Sequence, residues 1–461
     1  MAAPACRATS TGGSASGPGT QPWARSMNAQ RLGIGAVLAW WMAGVASGAI
    51  LTGIDALEAG GFAELQGKRI GLISHPSAVN RLGETTWRVL RRAKGVSLVA
   101  LFGAEHGFDG KARAGTEIAD GKEPETGLPV YSLYGPGPVR KPTASMLRGL
   151  DVLVYDIQDT GCRSYTFIST LGLAMEACAE AGVAFCVLDR PDPLGGIRVE
   201  GPQREERFKS FVGQWPIPYV YGMTPGELAR MINGERWNRR ACELSVVRMK
   251  GWNRSMTWKE TGLKWVATSP NVPRGDSPLY LVATGILGEI GGLNLGTGSP
   301  DSFRVVGAPW LDATRLKRQL DAVKLPGIEF SPVELDLNRK AGDGREFKGV
   351  RLTLTDPARA PLVALNYQIL EAVKKASGRD LFAQAAARGR SWEMFDKVSG
   401  TDQVRLALQK GRSAKQIIAA WNSGEAEFRR ARAPYLLYTD RAEDRPPTKP
   451  PATSKSAKPS R

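Results

Sequence analysis

Along the first half of the chain the apolar positions fall into two kinds of run. Residues 69–74 (RIGLIS), 96–102 (VSLVALF), 151–157 (DVLVYDI) and 183–188 are short and nearly continuous in apolar side chains, as strands buried on both faces are. Between them, residues 84–93 carry Trp87 and Leu90 on one face. Residues 165–181 place Ile168, Leu171, Met175 and Cys178 at helical spacing. Strands joined by helices predict an α/β domain on a mostly parallel sheet covered on both faces. A Gly-rich stretch from Gly103 to about Lys141 interrupts the alternation.

The pattern then resumes. Thr224-Pro225-Gly226-Glu227 reads as a helix start, with Thr as N-cap, Pro at the first helical position and Glu closing a capping box. Residues 244–249 predict another strand and 276–287 a helix. Near Gly307-Ala308-Pro309-Trp310 the pattern changes. Amphipathic helices follow at about 312–323, 362–375, 402–409 and 414–421, with strand-like pieces at 328–330 and 350–354. The expected organisation is an α/β domain over 51–305 and a smaller α+β auxiliary domain over 306–440. Residues 441–461 form a Pro/Lys/Ser tail expected to be disordered.

Composition narrows the class. The chain has 461 residues, 42% hydrophobic and 23% charged, which excludes a wholly disordered chain. Residues 1–26 are rich in small and polar residues. From Met27 a basic start leads into an apolar run over 32–45 and small residues over 46–49, the layout of a secretory signal peptide. The run is too short and too rich in Gly and Ala to favour a membrane anchor. Export to the periplasm or medium is expected, with no stable membrane span after cleavage.

The net charge of +17 looks like a nucleic-acid binder's until it is located. Three of those charges lie in residues 1–50 and four in residues 446–461, two stretches without acids, leaving +10 for the middle. No basic run interleaved with aromatics occurs there, so no nucleic-acid partner is expected. Cys162, Cys178, Cys186 and Cys242 show no CxxC spacing and there are only two histidines, so neither a metal site nor any cofactor is expected. Buried free thiols are the expected state of the cysteines.

In open α/β sheets the site lies beyond the carboxyl ends of the strands. Here those ends read Ser74-His75-Pro76-Ser77, Gly103-Ala104-Glu105-His106-Gly107, Asp156-Ile157-Gln158-Asp159-Thr160-Gly161-Cys162-Arg163 and Asp189-Arg190-Pro191-Asp192-Pro193. GxGxxG after a strand, a proper P-loop, GxSxG and HExxH are all missing, which leaves carboxylate chemistry. Two carboxyls with separated pKa values hydrolyse a glycosidic bond, one protonating the leaving oxygen while the other activates water or attacks. Glu105, at a strand end between small residues, is the first candidate for the acid, and partial desolvation would raise its pKa. It could instead cap or salt-bridge a loop. Asp156 and Asp159 are the next carboxylates, His106 a candidate to orient Glu105, and Arg163 and Arg190 candidates to bind a substrate carboxylate. Each arginine could equally pair with a neighbouring Asp.

These strand-end motifs resemble the NamZ-like exo-β-N-acetylmuramidases, a glycoside hydrolase family long catalogued as a domain of unknown function. The resemblance runs in order from Gly53-Ile54-Asp55 through Phe102-Gly103-Ala104-Glu105-His106-Gly107 and Asp156-Ile157-Gln158-Asp159-Thr160-Gly161-Cys162-Arg163-Ser164-Tyr165-Thr166. It continues through Leu188-Asp189-Arg190-Pro191-Asp192-Pro193, Val199-Glu200-Gly201-Pro202, Gly222-Met223-Thr224-Pro225-Gly226-Glu227, Ser269-Pro270-Asn271-Val272-Pro273 and Tyr435-Leu436-Leu437-Tyr438.

The resemblance implies a Rossmann-like catalytic domain with a C-terminal auxiliary domain. It implies release of N-acetylmuramic acid from the non-reducing end of peptidoglycan-derived muropeptides or MurNAc-GlcNAc saccharides. Glu105 takes the position of the catalytic Glu, and Glu200 that of a second acid. His106 and Asp159 join the catalytic set; Asp159 could orient the substrate's 2-acetamido group in a substrate-assisted route. Asp156, Gln158, Arg163, Tyr165, Asp189, Arg190 and Asn271 form the expected substrate-binding set. Three departures stand out: Tyr221 where the family often has His, Asp192 where it has Asn, and Leu295-Gly296-Thr297-Gly298-Ser299 in place of a loop bearing Glu and Arg. The altered loop leaves a second possibility, a glycan-binding protein of the same fold with weak or no catalysis.

Overall fold

The computed structural model describes residues 50–136, 140–335 and 347–440. The expected signal peptide and the C-terminal tail lie outside the described residues. Seven strands form the first sheet: β1 (Arg69–Ser74), β2 (Ser97–Gly103), β3 (Gly121–Lys122), β4 (Pro129–Ser132), β5 (Val152–Asp156), β6 (Ala184–Leu188) and β7 (Leu244–Val247). Their order is β3-β4-β2-β1-β5-β6-β7, and every pairing is parallel except β3 with β4. The apolar runs therefore become parallel strands. The order reverses at β1 and β5, where the chain first builds outward through β2 and then returns to build the other way. That switch point is where a crevice opens above an α/β sheet.

Two strands were hidden in the Gly-rich stretch. β3 and β4 are short and not buried, so they carry no apolar run to betray them. They matter because β4 extends the parallel sheet beside β2 and so supports the loop after it.

Helices cover the two faces. Helix Phe167–Ala181 buries Phe167, Ile168, Leu171, Ala174, Met175 and Cys178 against β5 and β6, and Gly182 in the left-handed region ends it. Each large apolar side chain buried there stabilises the fold by about 1.5–3 kcal/mol. Helix Pro225–Gly234 starts with the expected reciprocal cap: Thr224 Oγ1 accepts from the Glu227 N–H, and Glu227 Oε2 from the Thr224 N–H. Helix Gly53–Ala59 approaches the end of β6 so closely that a Cβ on Gly53 would lie 2.3 Å from the Asp189 nitrogen.

A second, antiparallel sheet follows, with β8 (Val305–Ala308), β9 (Ile328–Leu335) and β10 (Phe347–Leu354) in the order β8-β10-β9. Helices Ala313–Asp321 and Leu362–Ser377 pack on it around Leu316, Leu320, Val350, Leu365 and Ile369. The fold is thus a mostly parallel α/β sheet followed by a smaller α+β part. Strand β8 forms where the sequence showed only a change of pattern. The thiols of Cys162, Cys178, Cys186 and Cys242 are each buried and unpaired. Among the described residues, no helix is long and apolar enough to cross a membrane.

Candidate active site

The strand ends place the candidate residues in distinct environments. After β2 the chain turns through His106 (φ 72°) and Gly107 (φ 83°), both left-handed, and this reversal leaves Glu105 at the strand's carboxyl end, 8% exposed. Its Oε1 accepts the Gly115 N–H at 2.8 Å and its Oε2 accepts the Thr166 hydroxyl at 2.5 Å. Thr166 sits at the N-cap of helix Phe167–Ala181 but makes no side-chain cap, because its hydroxyl goes to Glu105. Tyr134 lies near enough to Glu105 and Arg140 for their charges to act on its phenol. Burial and the Glu105 charge both push its pKa up. The Arg140 guanidinium lies 4.2 Å over the Tyr134 ring.

His106 does not meet Glu105 directly. Its Nδ1 lies 2.9 Å from the Ala112 carbonyl, a contact that requires the proton on Nδ1. It therefore ties down the loop that carries Gly115. His75, at the end of β1, accepts the Ser77 N–H on Nδ1, which puts its proton on Nε2. Burial, helped by His106, lowers its pKa to about 3.

Tyr165 links Glu105 to the next strand end. It is half-buried, its hydroxyl donates to Thr268 Oγ1 at 3.0 Å, and burial together with the charges of Asp159 and Glu105 raises its pKa. Asp159 accepts the Tyr221 hydroxyl at 2.7 Å and the Gly161 N–H at 2.9 Å on Oδ2. Burial pushes its pKa up to about 6, against the opposing effect of those bonds. Asp192 is raised to about 7, chiefly by burial, with the Asp159 charge adding to it. Gln158 donates its amide to the Asp159 and Pro191 carbonyls and so fixes these two loops to each other. Asn271 accepts from the Gly298 N–H at 2.9 Å. It thereby fastens the altered 295–299 loop to the segment whose Thr268 bonds Tyr165.

The remaining expected residues are committed to the fold. Arg190 clamps both oxygens of Asp156, which also accepts the Thr86 hydroxyl, and donates to the Val79 carbonyl; the pair is almost fully buried. Arg163 is wholly buried and donates to the carbonyls of Pro202, Ile217 and Val398 at 2.7–2.8 Å. Both guanidinium groups are held by partners within the protein, the second of the two roles the sequence left open for them. Their partners are distant in sequence, whereas the pattern had suggested neighbouring aspartates. Asp189 accepts four bonds, from the Gly226 and Arg190 N–H groups and the Thr224 and Tyr438 hydroxyls, and burial raises it to about 7.

Glu200 is likewise placed elsewhere. It pairs with Arg198, accepts the Val363 N–H at 2.9 Å, and lines a separate cavity of about 500 Å³ together with Trp421 and Arg429. The residues around Glu105 that the sequence reading passed over are Thr166, Tyr134, Arg140 and Gly115. Only Thr166 carried a signal, a helix-start threonine with no other evident task. Among the described residues, no group of three or more His, Cys, Asp or Glu is placed to hold a metal ion.

Comparison with known proteins gives this arrangement a family. Residues 70–276 match the family model described as exo-beta-N-acetylmuramidase NamZ, N-terminal, and residues 279–438 match its C-terminal counterpart. The chain is 38% identical over 389 residues to peptidoglycan beta-N-acetylmuramidase NamZ of Bacillus subtilis strain 168, covering 84% of this chain and 91% of that protein. A DUF1343 family protein from Bacteroides fragilis NCTC 9343, solved by crystallography, superposes with a TM-score of 0.78 at 41% identity over 85% of this chain and 99% of its own. A second DUF1343 protein from the same organism gives 0.64 at 28% identity, with the same coverage. The chain belongs to the NamZ exo-β-N-acetylmuramidase family.

Proposed function

We propose that this protein is an exo-acting glycoside hydrolase that releases N-acetylmuramic acid from the non-reducing end of peptidoglycan fragments, with Glu105 as general acid. The observation that carries the reading is the setting of Glu105: a nearly buried carboxyl at a strand's end, with one oxygen aimed by the Gly115 N–H and the other by the Thr166 hydroxyl. A general acid must give its proton to the glycosidic oxygen as that bond breaks, so its oxygens have to be held in place before substrate arrives. The similarity to the Bacillus subtilis muramidase supports the same substrate class.

Asp159 enters as the second carboxylate, because it shares the surroundings of Tyr165 with Glu105. Glu200 does not, being paired in another cavity. The signal-like run over 32–49 supports export, so that wall fragments are met outside the cytoplasm.

The test is release of N-acetylmuramic acid from purified muropeptides, or of chromophore from a nitrophenyl muramide, by the wild type and Glu105→Gln. Glutamine keeps an acceptor but has no acidic proton to give. We expect a loss of about 100-fold or more in kcat; equal rates would overturn the assignment.

A further inference from the structure

An exo-muramidase must tell N-acetylmuramic acid from N-acetylglucosamine, and the two sugars differ by a lactyl ether, a carboxylate beside a methyl group. This inference rests on the function proposed above and asks where the protein holds that arm. The place needs cations and a free donor, an apolar wall, and too little room for another sugar.

A small cavity at the carboxyl ends of β1, β5 and β6 has these properties. Its volume is about 160 Å³, below the ~300–1,000 Å³ of sites that enclose a whole drug-sized ligand. Asn80, Arg81, Arg190 and Lys264 line it, and its lining includes no carboxylate. The Arg190 charge is already matched by Asp156. The side chains of Arg81 and Lys264 are exposed and have no partner among the described residues. Val79, Leu263 and Val266 supply apolar surface. The larger cavity beside Glu200 differs, since its Arg198 and Arg429 are taken up by backbone carbonyls and two glutamates line it.

Asn80 supplies the donor. It is 3% exposed, and its Oδ1 accepts the Leu82 and Glu84 N–H groups at 3.0 and 2.9 Å. Those bonds fix which way the amide faces. Its Nδ2 has no partner among the described residues, although the side chain lines the cavity. An amide donor taken from water without a bond is costly, and an acceptor on a ligand would restore it.

Contacts join this cavity to the acid. Ser77 lines it and gives its N–H to His75, whose ring packs on Phe167 with centroids 5.4 Å apart. Phe167 follows Thr166, which bonds Glu105. Gly110, on the loop that brings Gly115 to Glu105, passes so near that a Cβ there would lie 3.0 Å from His75 Nε2. Gln158, also in the lining, bonds the carbonyl of Asp159. We infer that this cavity is the subsite for the lactyl ether of the terminal sugar. Asn80 Nδ2 donates to the carboxylate, Arg81 and Lys264 neutralise it, and the apolar wall takes the methyl.

The experiment compares a nitrophenyl N-acetylmuramide with the nitrophenyl N-acetylglucosaminide that lacks the lactyl group. The proteins are wild type, Asn80→Asp, a double variant carrying Arg81→Met and Lys264→Met, and Lys94→Met. Aspartate still accepts from Leu82 and Glu84 but turns the free donor into an anionic oxygen. Lys94 is an exposed cation at the opposite end of β2. The readout is the ratio of kcat/KM between the two substrates; where the glucosaminide reacts too slowly, its Ki against the muramide, set beside KM, takes its place. In Asn80→Asp and in the double variant the preference for muramide is expected to fall about tenfold or more, mostly through KM, since charge-assisted contacts are lost. Lys94→Met is expected to keep it. An undiminished preference in either of the first two overturns the inference, and so does an equal fall in Lys94→Met. If Asn80→Asp does not fold, the double variant, confined to exposed side chains, decides alone.

Glu105→Gln is run beside them. If it keeps full activity, the assignment of the acid fails while the preference still judges the subsite. If wild type turns over neither substrate, the proposed function fails. Calorimetric binding of free N-acetylmuramic acid against N-acetylglucosamine then decides: a preference lost in the double variant supports the subsite, and one retained, or absent from wild type, overturns it.

Discussion

Thr166 gives its hydroxyl to Glu105 at 2.5 Å, which joins the start of helix Phe167–Ala181 to the end of β2 across 61 positions of sequence. The bond fixes one carboxyl oxygen while the Gly115 N–H fixes the other. Thr166→Val keeps the shape and removes the donor. Because the hydroxyl is not capping the helix, stability is expected to change by no more than about 1–2 kcal/mol, the usual effect of deleting one buried hydrogen bond. The kcat is expected to drop about tenfold as Glu105 loses its aim. Thermal melts and initial rates on the same preparation check this, and an unchanged kcat would show that Thr166 does not position the acid.

Arg190 and Asp156 make the opposite kind of pair, two charges taken wholly from solvent and committed to each other. Arg190→Met would leave the Asp156 charge buried without its cation, at a cost of about 3–5 kcal/mol. The expected result is a clear fall in melting temperature, with the surviving folded fraction retaining the wild-type KM. A raised KM at an unchanged melting temperature would instead make Arg190 a substrate contact.

These two cases mark what a sequence of this kind makes legible. Apolar runs gave away β1, β2, β5 and β6, because a strand buried on both faces needs such a run. With those strands came the loops after them, and Glu105 among the candidates. The partners of the charged residues stayed hidden. Arg190 has Asp189 and Asp192 beside it in the chain yet reaches Asp156 on the neighbouring strand. Arg163 binds carbonyls from three separated segments. Tyr134 and Arg140 lie after a short, unburied strand in a stretch with no period, so nothing marked them. Pairing is a property of strand order and loop path, which alternation along one segment does not encode.

Three buried aspartates should leave a mark on the pH dependence of stability. Asp159 is raised to about 6, and Asp189 and Asp192 to about 7, each mainly by burial. Between the unfolded value near 4 and these folded values, the native state holds protons that the unfolded state has lost. Stability therefore falls as pH rises from about 4 to 7 and levels off above. His75, lowered to about 3, acts oppositely, since the unfolded chain takes up its proton below about 6.5 and stability falls with acid. The two effects overlap, so a difference between variants isolates one of them. Asp192→Asn keeps an acceptor for the Leu194 N–H and has no charge to bury. Its melting temperature relative to wild type is expected to climb from pH 4 to 7 and then stay flat; a constant difference would mean that Asp192 is not held protonated.

The last prediction concerns His106, whose backbone and side chain have separable effects. At φ 72° a residue with a Cβ is strained, by roughly 1–2 kcal/mol for an ordinary L-residue. Its ring also holds the Ala112 carbonyl, while its own carbonyl accepts the Ala112 N–H at 3.1 Å. His106→Gly relieves the backbone and keeps the second bond but gives up the first. The loop from Gly107 to Gly115 is then tethered once instead of twice, and that loop carries the N–H that holds Glu105 Oε1. Stability is expected to change little or rise, since the two contributions oppose. Activity is expected to fall several-fold, with faster amide hydrogen exchange over 112–116. His106→Asn, whose shorter side chain tolerates the left-handed region, should fall between the two. If His106 instead carried a catalytic proton, both variants would lose activity together, to the same low level, with exchange over 112–116 unaltered. A graded loss that tracks loop exchange assigns His106 to holding the loop, and through Gly115 to the aim of Glu105.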